Sequence, residues 1–245
     1  MGQFIPGPMP GPPEFIQGLR GPPLEFLAIE LVYFLVVAGL CLLIYFKTKE
    51  IYRISQHRGI FYFRNIFLFF ALAYLFRLMG VGLIMLDDPV ALEIPRMLYQ
   101  ASLFLAGYFG TMAILCLAMA MLIRNVKKES KNAYYALHGI ALVLSLLIAT
   151  ERSSSALLAM QTAILACALL IFFIKTRGKK ASGFSQNKIT YLLLAIFWII
   201  NLLAFSRIPM ELKIPLYIIS AGIFLSIFLR VRKRLSTNGK KKKPA

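Results

Sequence analysis

Seven stretches of this chain, 27–46, 61–86, 97–123, 134–150, 155–174, 190–206 and 214–230, are nearly free of charge and rich in Leu, Ile, Phe and Ala. A helix crossing the hydrocarbon core of a bilayer needs about 20 mostly apolar residues. Each run is therefore predicted to be a transmembrane helix, the fourth, sixth and seventh being the shortest. None alternates strictly between apolar and polar positions, so a β-barrel does not fit. With 59% of its residues hydrophobic and 16% charged, a water-soluble domain of this length could not hide its apolar surface. The same composition excludes a disordered chain, which would be polar and poor in aromatics. The expected fold is all-α, a polytopic membrane protein.

A net charge of +18 would suggest nucleic acid if the charges were spread over a soluble surface. Here they are segregated. Lys47, Lys49, Arg53 and Arg58 lie in the first loop, and Arg124, Lys127, Lys128 and Lys131 in the third. Lys175, Arg177, Lys179, Lys180 and Lys188 lie in the fifth, and Arg230, Arg232, Lys233, Arg234 and Lys240–Lys243 at the C-terminus. The alternate segments hold Arg20, Arg96, Arg152, Arg207 and Lys213 among Glu14, Glu25, Asp87, Asp88, Glu93, Glu151 and Glu211. Because cytoplasmic loops carry the excess of Lys and Arg, the N-terminus is expected outside the cell membrane and the C-terminus in the cytoplasm. The basic side is expected to meet anionic lipid headgroups, and nucleic acid is not an expected partner.

The chain divides accordingly. Residues 1–25 form an extracellular tail with seven Pro and five Gly, a composition that builds no core. Nothing in it has the basic patch and short apolar core of a cleavable signal peptide. Residues 26–230 form the membrane domain, and 231–245 a basic tail. Within the domain, Lys47-Thr48-Lys49 and Ser55-Gln56-His57-Arg58 are echoed by Lys175-Thr176-Arg177 and Ser185-Gln186-Asn187-Lys188, 128 to 130 positions later. Pro89-Val90-Ala91-Leu92-Glu93-Ile94-Pro95 is echoed 120 positions later by Pro209-Met210-Glu211-Leu212-Lys213-Ile214-Pro215. A parallel three-plus-one-plus-three repeat follows: repeat A over 26–123, a linker helix over 134–150, and repeat B over 155–230.

That plan resembles the architecture of microbial rhodopsins, of SWEET and PQ-loop proteins and of lumenal retrieval receptors. The rhodopsin resemblance implies a retinal lysine within the seventh span, where the nearest lysine is Lys213 at its outer end; a PQ-loop protein would carry Pro-Gln in spans one and five, and neither span has it. The stretch Lys47–Arg77, KTKEIYRISQHRGIFYFRNIFLFFALAYLFR, is similar to the basic loop and aromatic helix of prokaryotic seven-transmembrane sensor modules that precede histidine kinases. That resemblance implies a sensor acting through a protein signalling partner.

Ionisable groups inside spans mark functional sites, because a charge in hydrocarbon is costly unless paired or solvated. Arg77 lies near the middle of span two, and Glu30 early in span one at a similar depth. Arg77 could pair with Glu30 or snorkel to the headgroups. Tyr99 and Gln100 in span three, Gln161 and Thr162 in span five, Asn201 in span six, and Tyr217 and Ser220 in span seven fall in the same outer half. The candidate ligand-binding set is Glu30, Arg77, Tyr99, Gln100, Gln161, Asn201 and Tyr217, lining an outward-facing polar pocket for a small molecule. Arg64, Asn65 and His138 fall near the cytoplasmic interface. Cys41, Cys116 and Cys167 lie in apolar runs and are expected to be buried. The pairs Gly80 and Gly82, and Gly107 and Gly110, are expected to allow close helix packing, and Trp198 to be core or lipid-facing. His57 and His138 lack neighbours at ligand spacing, and no catalytic or cofactor motif is present. No metal or cofactor is expected, and nothing in the sequence argues for an enzymatic reaction. The composition fits a sensor that binds a small ligand, or a small-solute transporter in which two repeats rock about a central site.

The charge segregation gives the first expected outcome. A reporter fused after Ala245 should be active only in the cytoplasm, and one inserted beside Asp88 only outside. An external signal from the C-terminal fusion would contradict the seven-span count.

Overall fold

The computed structural model describes residues 24–85, 93–122, 131–151, 154–176, 185–205 and 208–240. They form seven α-helices: α1 (Leu24–Ser55), α2 (Arg58–Met85), α3 (Glu93–Leu122), α4 (Lys131–Glu151), α5 (Ser154–Thr176), α6 (Ser185–Phe205) and α7 (Met210–Lys240). Six carry windows long and apolar enough to cross a bilayer, with mean hydropathies from 1.8 to 2.5; the apolar stretch of α6, Ile189–Ala204, is shorter. The first turn of α6 is spent on Ser185, Gln186, Asn187 and Lys188. The chain is thus a multi-pass helical membrane protein. The Pro- and Gly-rich segment before Leu24, the loop residues Asp87, Asp88, Arg124, Lys127, Lys128, Arg152, Arg177, Lys179, Lys180 and Arg207, the start of the first Pro motif at Pro89–Leu92, and the terminal lysines 241–243 lie outside the described residues.

Helix α7 runs well past residue 230, where the apolar run stops. Arg230, Arg232, Lys233 and Arg234 are good helix formers, so the helix continues past the apolar run. Between α1 and α2 the chain turns through Gln56, whose φ of 51° places a side-chain-bearing residue in the left-handed region usually filled by glycine at helix ends. His57 then accepts the Gly59 amide on Nδ1 at 3.1 Å, satisfying one of the open donors at the start of α2.

Helices consecutive in sequence run antiparallel. Tyr52 meets Phe61 beside the α1–α2 turn, and Tyr33 meets Tyr74 farther along the pair. Helix α3 packs against α2, α4 and α5, and the outer ring closes where α7 contacts α1. Helix α2 is reached from the other side by α6 and α7: Phe63 meets Tyr191, Phe70 meets both Phe197 and Trp198, and Phe67 meets Phe224. These rings interlock edge to face, the geometry that aromatic quadrupoles favour.

Each peripheral helix buries one narrow stripe. On α1 the stripe is Glu30, Tyr33, Val37, Cys41, Ile44 and Thr48; on α7 it is Tyr217, Ser220, Phe224 and Ile227. Spacings of three and four residues are those of a helix seam. The opposite faces are as apolar as the seams and stay exposed, with Leu31, Val32, Leu35, Val36, Leu42, Leu43 and Phe46 outward on α1. In water such a surface would drive aggregation; in hydrocarbon it is the solvated face.

Two expectations need correction. Cys41 and Cys116 are buried, but Cys167 is exposed, because the α5 seam passes through Gln161, Leu165, Ala168 and Phe172 and leaves position 167 outside. Gly80, Gly107 and Gly110 do sit at close helix contacts, while a Cβ at Gly82 would meet nothing, since that residue lies off the α2–α3 contact. At Gly80 an added Cβ would lie 2.7 Å from the Ser102 hydroxyl, and at Gly110 it would collide with the Gln161 carboxamide.

Gly110→Val should therefore lower the melting temperature in detergent by several degrees, overpacking at such contacts costing about 1–3 kcal/mol. Gly39→Ala, where open space surrounds the new methyl, should be neutral or stabilising by up to about 1 kcal/mol. Equal melting shifts for the two variants would contradict the packing described.

Candidate functional site

Three helices each bring an i,i+3 pair to one end of the bundle: Glu30 and Tyr33 on α1, Tyr74 and Arg77 on α2, and Tyr217 and Ser220 on α7. Side chains three apart stack along one helical face. Antiparallel packing brings the start of α1, the later part of α2, the end of α6 and the start of α7 to a common level. Asn201 of α6 completes the group. All of these except Arg77 are buried.

The Tyr33 hydroxyl donates to Asn201 Oδ1 at 2.9 Å, and Asn201 Nδ2 donates to Ser220 Oγ at 2.9 Å and to the Phe197 carbonyl at 2.8 Å. Tyr33 and Ser220 hydroxyl oxygens are 2.8 Å apart. With the single Tyr33 proton committed to Asn201, Ser220 donates to Tyr33. The three groups form a closed ring of hydrogen bonds tying α1, α6 and α7, in which each donor polarises the next.

Above the ring sits a charged pair. Arg77 Nη2 lies 3.7 Å from Glu30 Oε1, with the two side chains 16% and 5% exposed. The same carboxylate oxygen accepts from Tyr217 at 2.8 Å. The Arg77 guanidinium also lies 5.2 Å from the centre of the Tyr74 ring, a cation–π contact. Tyr33 stacks on Tyr217 with centroids 4.5 Å apart and meets Tyr74 edge-on. Lys213, one turn before Tyr217, is within electrostatic reach of both Glu30 and Arg77.

Beside this cluster lies a cavity of about 50 Å³, walled by α2, α3, α5 and α6. Phe70, Tyr74 and Arg77 face it from α2, Gly110 from α3, Gln161 from α5, and Trp198 and Asn201 from α6. By this measure one water needs about 10–15 Å³, so the space takes a molecule of a few heavy atoms. Arg77 and Asn201 belong to both the cluster and the cavity wall. The chemistry assembled is that of binding: hydrogen-bond donors, a carboxylate–guanidinium pair and aromatic walls. Among the described residues no three of His, Cys, Asp and Glu gather where they could hold a metal ion.

Of the seven candidates read from the sequence, Glu30, Arg77, Asn201 and Tyr217 converge in the cluster, and Gln161 lines the adjoining cavity. Tyr99 instead packs beside Gly80 on the α2–α3 contact. Neither Tyr99 nor Gln100, both half-buried, is among the cavity's lining residues. Thr162 faces outward and bonds its own helix at Leu158. Arg64 is enclosed at the other end by Tyr45, Tyr52 and Phe61, at 4.8 to 5.5 Å from their centres, and His138 Nδ1 bonds the Tyr108 hydroxyl. Sequence reasoning did not select Tyr33 and Tyr74, and treated Trp198 only as packing. The signal for the tyrosines was their i,i+3 spacing from Glu30 and Arg77.

Over 222 residues the chain is 31% identical to an uncharacterized protein of Archaeoglobus fulgidus, an alignment covering 87% of this chain and 96% of the archaeal one. The chain belongs to that protein's family. The likeness spans nearly the whole of both chains, so family membership rests on the bundle as a unit. No family model and no solved structure matches the chain.

The Glu30–Arg77 pair yields a double-mutant test. Removing one partner of a buried pair costs on the order of 3 kcal/mol, because the other is left uncompensated. Arg77→Gln and Glu30→Gln should each lower thermal stability, and the double variant should recover part of the loss, with a coupling of about 1 kcal/mol or more. Strict additivity in both detergent and lipid would contradict the pair.

Proposed function

We propose that this protein is a seven-helix membrane sensor module that binds a small ligand in the cavity beside the Glu30–Arg77 cluster, with that end facing outside and the basic end in the cytoplasm. The observation that carries this reading is the joining of a buried polar cluster to a cavity at one end of the bundle, through Arg77 and Asn201. Phe70 of the cavity wall packs ring on ring with Phe197 and Phe224, and Phe224 with Phe67, which continues the wall as an aromatic block. A one-sided site suits detection, in which occupancy alters helix packing without passage of the ligand. The basic loops and the extended α7 would meet anionic headgroups and a signalling partner.

A second reading, a transporter of two rocking three-helix repeats, is favoured by a different observation. Phe63 meets Tyr191 and Phe70 meets Trp198 across α2 and α6, and the partners in each pair are 128 residues apart. Contact between equivalent residues of parallel helices is what a two-fold axis along the bundle would produce. The pairing of α3 with α5 and of α7 with α1 supports the same symmetry, and the cavity lies beside that axis, where repeat-built carriers hold substrate.

Reconstituted liposomes decide between the two. The sensor reading expects that, from a panel of small amino acids, sugars and carboxylates, one class raises the melting temperature while none accumulates inside. Saturable, protein-dependent uptake would contradict the sensor and support the carrier. No stabilisation and no uptake across the panel would contradict both.

A further inference from the structure

We infer that the groove between α1 and α7 seats one anionic phospholipid of the leaflet at the basic end, its hydrocarbon tail along Gly39 and Gly222 and its phosphate between Lys47 and Arg232. This rests on the headgroup contact proposed above and gives it a place and a stoichiometry.

The groove has a volume of about 510 Å³. Leu35, Val36, Leu43 and Leu225 line it with exposed side chains. At Gly39 and Gly222 the missing side chains leave it open, because a Cβ at either would meet nothing within 4 Å. No lining residue is polar, so the occupant is hydrocarbon. From Leu35 to Leu43 the groove runs about 12 Å along α1, at 1.5 Å per residue. That is close to the roughly 15 Å that one leaflet contributes to the hydrocarbon core.

The helices carry this apolar track to a basic end. Val36, Leu40, Leu43 and Lys47 share one face of α1, and Gly222, Leu225, Leu229 and Arg232 one face of α7, at spacings of three and four. The two helices run parallel and in register: Glu30 bonds Tyr217 and Tyr33 bonds Ser220, each pair 187 positions apart. Lys47 and Arg232 therefore end the two faces within about 3 Å in depth. Both are exposed, and among the described residues neither is held in an ion pair. Over 47–50 and 230–233 five cations, Lys47, Lys49, Arg230, Arg232 and Lys233, stand against one anion, Glu50. A tail lying in the groove brings its phosphate to this level, where Arg and Lys donate to it.

The same charges argue against a second copy as the occupant. Copies in one membrane share an orientation, so a two-fold pair across this groove would set Lys47 and Arg232 level with their own counterparts. Like charges so juxtaposed repel; an anionic headgroup neutralises them.

Native mass spectrometry of the full chain in uncharged detergent tests the assignment, with phosphatidylglycerol and phosphatidylcholine of identical tails. One phosphatidylglycerol should bind roughly tenfold or more tighter than phosphatidylcholine, each Lys or Arg beside an anionic headgroup being worth about fivefold. The combined Lys47→Gln and Arg232→Gln variant should bring phosphatidylglycerol down to the affinity of phosphatidylcholine. Gly222→Leu, which fills the groove from open space, should weaken both lipids while keeping their ratio, with little change in melting temperature. Selectivity for phosphatidylglycerol that Gly222→Leu leaves untouched would overturn the groove while leaving the general headgroup contact standing. Equal affinity for the two lipids would overturn both. A dimer that Gly222→Leu dissociates would overturn the lipid and give the groove to a second copy.

Discussion

In hydrocarbon, a polar group has no water to fall back on, and the hydrogen-bonded ring of Tyr33, Asn201 and Ser220 answers that constraint for three helices at once. Apolar packing alone gives α1 little reason to prefer one rotation, because lipid tails are as apolar as the neighbouring helix. Leu31, Val32, Leu35 and Val36 face outward as readily as Val37 and Ile44 face inward. Turning the helix would, however, carry Glu30 and Tyr33 into lipid. Their partners on α2, α6 and α7 thus set which face becomes the seam, and the aromatic core below follows from that setting.

This explains what was legible in the sequence. Helix number and class could be read from the apolar runs, since length and hydropathy suffice for them. Glu30, Arg77, Asn201 and Tyr217 could be read because a polar residue in such a run has few other uses, and alternating helices place them at one depth. Cys167 was misread for the opposite reason. An apolar helix that is uniform around its circumference does not announce its buried face, so its position on the run said nothing about its side. Tyr99 and Gln100 had the right depth, but depth carries no azimuth. Tyr74 and Trp198 were hidden because aromatic side chains in apolar runs look like packing until their place on the cavity wall is seen.

The two proposed readings share this physical base. A cluster that holds helix rotation and also walls a cavity couples occupancy to packing, since a ligand that engages Arg77 or Tyr74 competes with the contacts that orient α1 and α2. Such coupling shifts the balance between arrangements only as far as the ligand prefers one of them. Sensor and carrier differ in whether the aromatic block formed by Phe67, Phe197 and Phe224 yields. The arrangement of α2 against α6 gives the bundle a central seam along which it could.

The rotational setting of α1 tests the account most directly. Single cysteines would be placed one at a time over residues 28–46, in a background with Cys41, Cys116 and Cys167 replaced by Ala, and labelled in bilayers with a lipid-soluble maleimide. Protection is expected at 37, 41 and 44, where the ring and the Glu30 contacts stay intact, and labelling at 31, 32, 35, 36, 42 and 43, with the contrast reduced when Asn201→Leu removes the ring's centre. Labelling that shows no three-and-four periodicity, or a periodicity unchanged by Asn201→Leu, would contradict the claim that the polar ring orients the helices.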